Sequence, residues 1–447
     1  MKVAIIGYGI EGLVSAEYWK SKGDEITVCD LKTTLPIPEN YQRKLGTVYL
    51  ENLDQFDIIV RTAGLRPQLI LDANPDHPEI AERITTSMNE FVQVCPSRKI
   101  IGITGTKGKG TTSTFVAKIL QAAGLRAHLG GNIGIAPLEM LKEIQPDDWV
   151  VLEMSSFQLI DFTGRVPIAA CLMMAPEHLN WHPDLEEYFT AKAQLFIHQR
   201  PGDTAIYNAN SPGSVEVAAN SPANKIAYDV PAEGRAPHFT DASYVRDGLV
   251  YYREHEIMLA SEVKLLGRHN LENLCAAISI VWPLTGGNID AIKEVATSFA
   301  GLEHHIEFVA AIDDVQYIDD SYSTMPDATV AAVAAIKQPK VLILGGVDKG
   351  IPLDPMITAV AQSSTKHVVL FGSMADAIQE MLAKAGFTAV SSPGNVMKDV
   401  VEDARKHAEP GDVVLLSPGC AAKGDGFFVD NKDRGNQFKE IVRSLAA

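Results

Sequence analysis

Short apolar runs alternate with amphipathic stretches almost from one end of the chain to the other. KVAIIG, EITVCD and DIIVRTAG are short and largely apolar and read as strands. EGLVSAEYWKSKG between the first two reads as a helix stopped by Gly23. A second series opens with KIIGITG and runs into a helix over residues 111–123. Phe115, Val116, Ile119 and Leu120 share one face of that helix, and Gly124 stops it. WVVLEMSS is a further buried strand, and KVLILGG, KHVVLFGS and DVVLLSPG form a third series after Gly301. The pattern predicts an α/β protein of three doubly wound domains. They are a Rossmann-like domain over 1–92, a P-loop α/β domain over 93–299 and a second Rossmann-like domain over 300–447. The tail of the middle domain reads as short strands with a hairpin at RDG.

Composition narrows the function classes. The 447 residues are 46% hydrophobic and 21% charged, an ordinary soluble balance. A formal net charge of −17 argues against nucleic-acid or anionic-membrane partners. No run approaches the roughly 18 apolar residues of a membrane span. The five cysteines, Cys29, Cys95, Cys171, Cys275 and Cys420, are scattered and follow no metal-finger spacing, which suits a reduced cytoplasmic compartment. The apolar N-terminus is interrupted by Gly7, Gly9, Glu11 and Gly12, so it reads as strand, turn and helix rather than a signal peptide.

Two glycine-rich turns carry the candidate chemistry. GYGIEG, residues 7–12, follows a strand and opens a helix, which lets backbone approach a pyrophosphate. Asp30 ends the second strand, where a ribose-binding acid would sit. Alone, this turn is as compatible with NAD or FAD as with another nucleotide. The second turn runs Gly105-Thr106-Lys107-Gly108-Lys109-Gly110-Thr111-Thr112 between a strand and a helix. Its N–H groups would cradle phosphates, and Lys109 would reach the β- and γ-phosphates. Gly110 has no hydroxyl, so Thr111, with Thr112 in reserve, is the candidate Mg²⁺ contact.

Further along come GGNIG, LEMSSFQL, PEHLNWH, YFTAKAQLF and GRHNLENLCAA, in that order. Together with the phosphate loop they resemble the Mur ligases, and the resemblance runs through nearly the whole chain. It implies an ATP-dependent amide ligase that adds D-glutamate to UDP-N-acetylmuramoyl-L-alanine through an acyl phosphate. The work would be done by a cytoplasmic monomer. The first domain would hold the UDP end of the substrate, the second ATP, and the third glutamate, closing over the site.

The same resemblance distributes roles. Lys109, Glu153, His178 and Lys192 would be catalytic. Thr111, Glu153, His178 and Lys192 would serve two Mg²⁺ sites, with Lys192 as a CO₂-derived carbamate. From its surroundings in sequence alone, Lys192 is only a lysine on an amphipathic helix, and His178 a turn histidine. Gly9, Ile10, Glu11, Asp30, Lys32, Thr62, Gly64, Asn132, Ser155 and Gln158, with Ser156 beside them, would hold the UDP-substrate. Asn270, His305 and Asp320 would join the loop in binding ATP. Thr324, Lys349, Ala422, Lys423, Phe427 and Phe428 would face glutamate.

The chain also departs from the family pattern. Glu177, Asn180 and Met173 stand where aspartate, aspartate and asparagine are usual. His305 replaces an arginine, and Tyr322 and Met325 replace a lysine and an asparagine. SPGCAAKGDGFFVDNKDRG is longer than the usual segment and has Ala422 in place of a serine. Lys423 or backbone N–H groups would take over the serine's task. Because these changes sit where the amino acid is read, L-glutamate is the alternative to D-glutamate. A folylpolyglutamate-type ligase with another acceptor is a further alternative, but it would lack the N-terminal glycine-rich domain. A dehydrogenase would leave Lys109, Glu153 and Lys192 without a task, as would a non-catalytic nucleotide binder.

Overall fold

The computed structural model describes residues 1–133, 135–179, 181–232, 234–265, 267–348, 352–424 and 426–445, with the side chain of Asp327 excepted. Lys349 and Asn180 therefore lie outside the described residues. The chain divides into two compact units, Met1–Phe299 and Ala300–Ala447.

The first unit contains two parallel sheets and a small antiparallel one. In the first sheet Lys2–Ile6 lies between Glu25–Asp30 and Ile58–Arg61, with Gln42–Leu45 and Ile84–Thr85 at the edges. In the second, Ile100–Thr104 lies between Trp149–Glu153 and Ile168–Cys171. Ala127–Gly131 flanks one side, and Thr204–Asn208 and Asn224–Tyr228 the other. The central strands are buried along almost their whole length, which is why they read as unbroken apolar runs. One apolar cluster reaches from Val3, Ile5 and Trp19 through Phe91 to Val150, Leu152 and Leu195. The two sheets thus share a core.

The hairpin expected at RDG is present. Ser243–Arg246 pairs antiparallel with Leu249–Tyr252. Asp247 and Gly248 take φ of 52° and 77° at the two-residue turn.

A buried arginine ties the two large sheets together. Arg61, at the end of its strand, is fully buried. Its Nε donates to Asp161 Oδ2 at 2.6 Å, and Nη1 and Nη2 donate to the carbonyls of Leu65 and Phe157, each at 3.0 Å. A buried guanidinium needs this many partners to offset its lost hydration.

The second unit is one six-stranded sheet. Val413–Gly419 and Lys340–Gly345 are central, Thr365–Phe371 and Val390–Ser391 follow on one side, and Val315–Asp319 and Glu307–Ile312 on the other. The last pair is an antiparallel hairpin that the parallel reading did not anticipate. Its signal was the Asp313-Asp314 pair, which turns with φ of 51° and 60°.

The glycines of the first turn have different burdens. A Cβ on Gly12 would lie 1.9 Å from the Gly7 carbonyl oxygen, whereas one on Gly9 would meet nothing within 4 Å. Gly12→Ala should therefore lower stability by roughly 1–3 kcal/mol or more. Gly9→Ala should fold normally. Paired chemical denaturation curves check the contrast.

Candidate active site

The phosphate loop sits at the carboxyl end of the central strand Ile100–Thr104 and leads into the helix Lys109–Ala122. Gly105 and Gly108 adopt φ of 147° and 87°. A Cβ on Gly108 would lie 2.1 Å from Asn273 Oδ1, and one on Gly105 would lie 2.8 Å from Leu172 Cβ. Shape and packing both require glycine there. The first N–H groups of the helix have no partners within it and are suited to anions. Lys109 Nζ donates to the Gly105 and Thr106 carbonyls at 3.0 Å each. Burial lowers its pKa, and Glu153 and Glu177 oppose the shift. Lys107 is exposed and pairs with Glu177. Thr111 is half-buried, and the fully buried Thr112 hydroxyl has no hydrogen-bond partner.

Lys192 comes to the loop from beneath. It is buried on the helix Leu185–Ile197, and its Nζ donates to the Gly105 carbonyl at 2.9 Å. It also lies 3.4 Å from Thr104 Oγ1 and 4.8 Å from the centroid of the Tyr188 ring. Burial, and then the charge of Lys109, drive its pKa well below the lysine range. Tyr188 carried no signal of its own in the sequence. Its hydroxyl meets Thr106 Oγ1 at 2.9 Å, and Thr106 accepts from the Ala175 N–H at 2.9 Å. Tyr188 therefore spans the loop and the Lys192 amine.

Glu153 ends its strand buried, and its Oε1 accepts from Asn132 Nδ2 at 2.8 Å. Gly131 must be glycine for that approach, since a Cβ would come within 2.2 Å of the Glu153 carbonyl oxygen. His178 is less enclosed, with φ of 60° and its ring 4.7 Å from that of Phe157. Burial lowers its pKa, and Glu177, 3.6 Å away, opposes the shift.

The SSFQ residues form a capping box. The Gln158 N–H donates to Ser155 Oγ at 3.3 Å, and the Ser155 N–H donates to Gln158 Oε1 at 3.0 Å. Ser156 meets His182 Nε2 at 3.0 Å. His182 Nδ1 in turn meets Glu187 at 2.9 Å, and Glu187 pairs with Arg66. This chain reaches back to the loop after the strand Ile58–Arg61, where Trp181 Nε1 donates to the Gly64 carbonyl at 2.9 Å.

On the first turn, Asp30 uses both carboxylate oxygens on backbone, accepting from the Tyr8 and Lys32 N–H groups at 2.8 Å each. Glu11 accepts from the Ser87 hydroxyl and the Ala63 N–H. Thr62 packs against Gly7. Both acids brace the turn, while Ile10, Lys32 and Gly64 are exposed around it. Asn270 begins the helix Arg268–Val281 and accepts from Asn273 Nδ2 at 3.2 Å. A groove of about 660 Å³ elsewhere on this unit, lined by Arg83, Asn89, Asp161 and His198 among others, contains none of the predicted site residues.

In the second unit, Asp320 is buried and accepts from Ser417 Oγ at 2.7 Å, from Ser323 Oγ and from the Ile306 N–H at 3.1 Å. Burial raises its pKa to about 6 against these hydrogen bonds. His305 is exposed, its ring 5.0 Å from that of Tyr322. Thr324 is half-buried in the same loop. Ala422 and Phe428 belong to the apolar core, whereas Lys423 and Phe427 are exposed. Arg434 was missed as a brace, although it lies in the DRG triplet. It is fully buried and donates to Ser321 Oγ at 3.0 Å and to the Ser321 carbonyl at 2.8 Å.

A nucleotide-type phosphate loop with a buried lysine beneath it, in a chain that carries a second glycine-rich turn, is the arrangement of a nucleotide-using enzyme. Residues 103–281 match the Mur ligase middle domain, and residues 305–420 the Mur ligase glutamate ligase domain. A UDP-N-acetylmuramoylalanine–D-glutamate ligase of Clostridium tetani is 35% identical over 99% of this chain and 97% of its own. One from Symbiobacterium thermophilum is 35% identical over 100% and 98%. Among solved structures, UDP-N-acetylmuramate-alanine ligase MurC from Thermotoga maritima matches the fold with a TM-score of 0.58 at 18% identity, over all of both chains. E. coli FolC in complex with ADP matches at 0.55 and 17% identity, over 81% of this chain and 93% of its own. The chain belongs to the Mur ligase family and is an ATP-dependent ligase. No helix among the described residues is long and apolar enough to cross a membrane.

Asp320 carries a pH signature. Its folded pKa of about 6 lies above the unfolded value of 3.8, so the folded state holds the extra proton between those values. Stability from this group is complete below pH 3.8 and is lost as the pH rises through about 6. Asp320→Asn should raise the melting temperature at pH 7.5, and the gain should shrink at pH 5. Scanning calorimetry at the two pH values checks this.

Proposed function

We propose that this ligase joins D-glutamate to UDP-N-acetylmuramoyl-L-alanine in the cytoplasm, at the expense of ATP. The full-length identity to relatives bearing that name supports the reading. The observation that carries it is the convergence of Lys109 and Lys192 on the Gly105 carbonyl, with Glu153 on the neighbouring strand. Residues 1–92 are assigned to the UDP end of the substrate, 93–299 to ATP and 300–447 to glutamate.

The chemistry follows from the groups present. A carboxylate oxygen of the alanyl substrate attacks the γ-phosphorus of ATP, and ADP leaves. The glutamate amine then attacks the acyl carbon. A C–N bond forms, the C–O bond to phosphate breaks, and phosphate and a proton depart. Lys109 and the N–H groups at the helix start neutralise charge that builds on the transferring phosphoryl group. Asn132 orients the Glu153 carboxylate.

Glu153 and the hydroxyl of Thr111, with the unpartnered Thr112 hydroxyl behind it, are hard oxygen donors that suit Mg²⁺. Bound there, Mg²⁺ would supply charge neutralisation at the phosphates. His178 is assigned to a second Mg²⁺. Lys192 is assigned as a carbamate: its amine attacks CO₂, a C–N bond forms, and a proton leaves to solvent. Its depressed pKa favours the neutral amine that this step needs. On the first turn, Ile10, Lys32 and Gly64 are left to meet the UDP group, with Gly9 allowing close approach and Asp30, Glu11 and Thr62 holding the turn. Ser155 and Gln158 hold the shape of the adjoining wall. In the second unit Asn270's counterparts for ATP are Asp320 and His305. Thr324, Lys349, Lys423 and Phe427 are assigned to glutamate, with Ala422 and Phe428 supporting them from the core.

Phosphate release from ATP and Mg²⁺ with UDP-N-acetylmuramoyl-L-alanine should require D-glutamate. Release that requires L-glutamate instead would assign the opposite isomer to the altered 417–435 segment, and no release with either would overturn the reading. Protein equilibrated with ¹³C-labelled CO₂ should show a carbamate resonance that Lys192→Met abolishes. The same variant should melt at a higher temperature at neutral pH. The folded pKa lies below the usual lysine value, so below that usual value folding is penalised by the deprotonation or burial of this ammonium.

A further inference from the structure

The second unit carries a group of metal-ligating side chains that the ligase reaction does not use. His367 is the third residue of the strand Thr365–Phe371. Asp403 and His407 lie four residues apart on the last turns of the helix Met397–His407, and so share a face. Ser391 lies between them on the two-residue edge strand Val390–Ser391. His367 is toward the amino end of its strand, while Ser391 pairs in register with Val369 further along it. Asp320 and Gly419 are at the carboxyl end of the sheet, and His367 is roughly 13 Å along its strand from Phe371, which pairs with Gly345 there.

The imidazole rings of His367 and His407 stack with centroids 3.6 Å apart and planes 12° apart. Asp403 Oδ2 lies 3.9 Å from His407 Nε2. One ligating atom from each of the three residues lies within 4.8 Å of the other two. Ser391 Oγ donates to Asp403 and meets His367 Nε2 at 2.8 Å. Two imidazoles and one carboxylate are the donor set of Zn²⁺ and its neighbours, and a turn of the stacked rings about their side-chain bonds would bring both nitrogens to one ion; the Ser391 hydroxyl holds two of the three groups from outside. Asp403 and His407 are 16% and 38% exposed, so an ion can enter and keep water as a further ligand.

The other such group among the described residues, His304, Glu307 and Asp319, is committed elsewhere. Glu307 accepts from the His304 N–H and pairs with Lys439, and Asp319 holds His304 Nδ1.

We propose that His367, Asp403 and His407 bind a divalent transition cation of the Zn²⁺ class. A donor set that is two-thirds nitrogen, with no phosphate oxygens to complete it, favours Zn²⁺ over Mg²⁺, the ion the reaction uses. A bound ion would pin the short edge strand and the helix end to the sheet.

Calorimetric titration of the full chain with Zn²⁺ in excess Mg²⁺ tests this. Wild type and His178→Ala should each bind one ion that His367→Gln and His407→Ala lose. Ser391→Ala should weaken it by about 10–100-fold. Zn²⁺ should raise the melting temperature of wild type and leave that of His407→Ala unchanged. Ligase activity of His407→Ala without added Zn²⁺ should equal wild type. Absence of Zn²⁺ binding in wild type, or equal binding in folded His407→Ala and His367→Gln, would overturn the proposal.

Discussion

The hydrogen bond from Lys192 to the Gly105 carbonyl is the contact on which the arrangement of the catalytic loop turns. An amine in that position is nearly sealed from water, so its charged form is disfavoured. The loop above must then offer a carbonyl, and Gly105 offers one only because its backbone takes a conformation that side chains resist. Lys109 donates to the same carbonyl. Two amines on one acceptor are tolerated because burial disfavours the charged form of each and Glu153 and Glu177 lie near enough to offset what charge remains.

The two glycine turns look alike in sequence and are held differently. The first is braced by acids: Asp30 and Glu11 use their oxygens on backbone N–H groups and a serine. An acid that receives two backbone amides is less free to receive a ribose, which weakens the dinucleotide reading of the same motif. The second turn is braced by a neighbouring helix, through Asn273, and by Tyr188 and Thr106. Its phosphate-facing N–H groups remain at a helix start, where a nucleotide needs them.

The second unit shows where substitution has been absorbed. Ala422 and Phe428 lie in the core, so the long 417–435 segment is anchored by packing at both ends of its altered part. Arg434 then ties its following helix to Ser321 and the Cys420 carbonyl. The exposed members, Lys423 and Phe427, are left to vary around that anchor.

Strand and helix order was legible along most of the chain because buried strands must be continuously apolar and helices must present one apolar face. The phosphate loop was legible too, since glycine, lysine and threonine at that spacing between a strand and a helix answer to one physical task. Lys192 had no such local signature: a buried amine is defined by what encloses it, and its neighbours come from the loop and from Tyr188. The relay from Arg66 through Glu187 and His182 to Ser156, and the bracing roles of Asp30 and Arg434, were equally silent. Local chain stiffness and hydrophobic period are encoded over a few residues, whereas burial, charge pairing and hydrogen-bond partners arise only when distant segments meet. The sequence by itself determined the elements and the nucleotide loop; the tertiary structure decided which side chains are buried with shifted pKa values and which merely hold the turns.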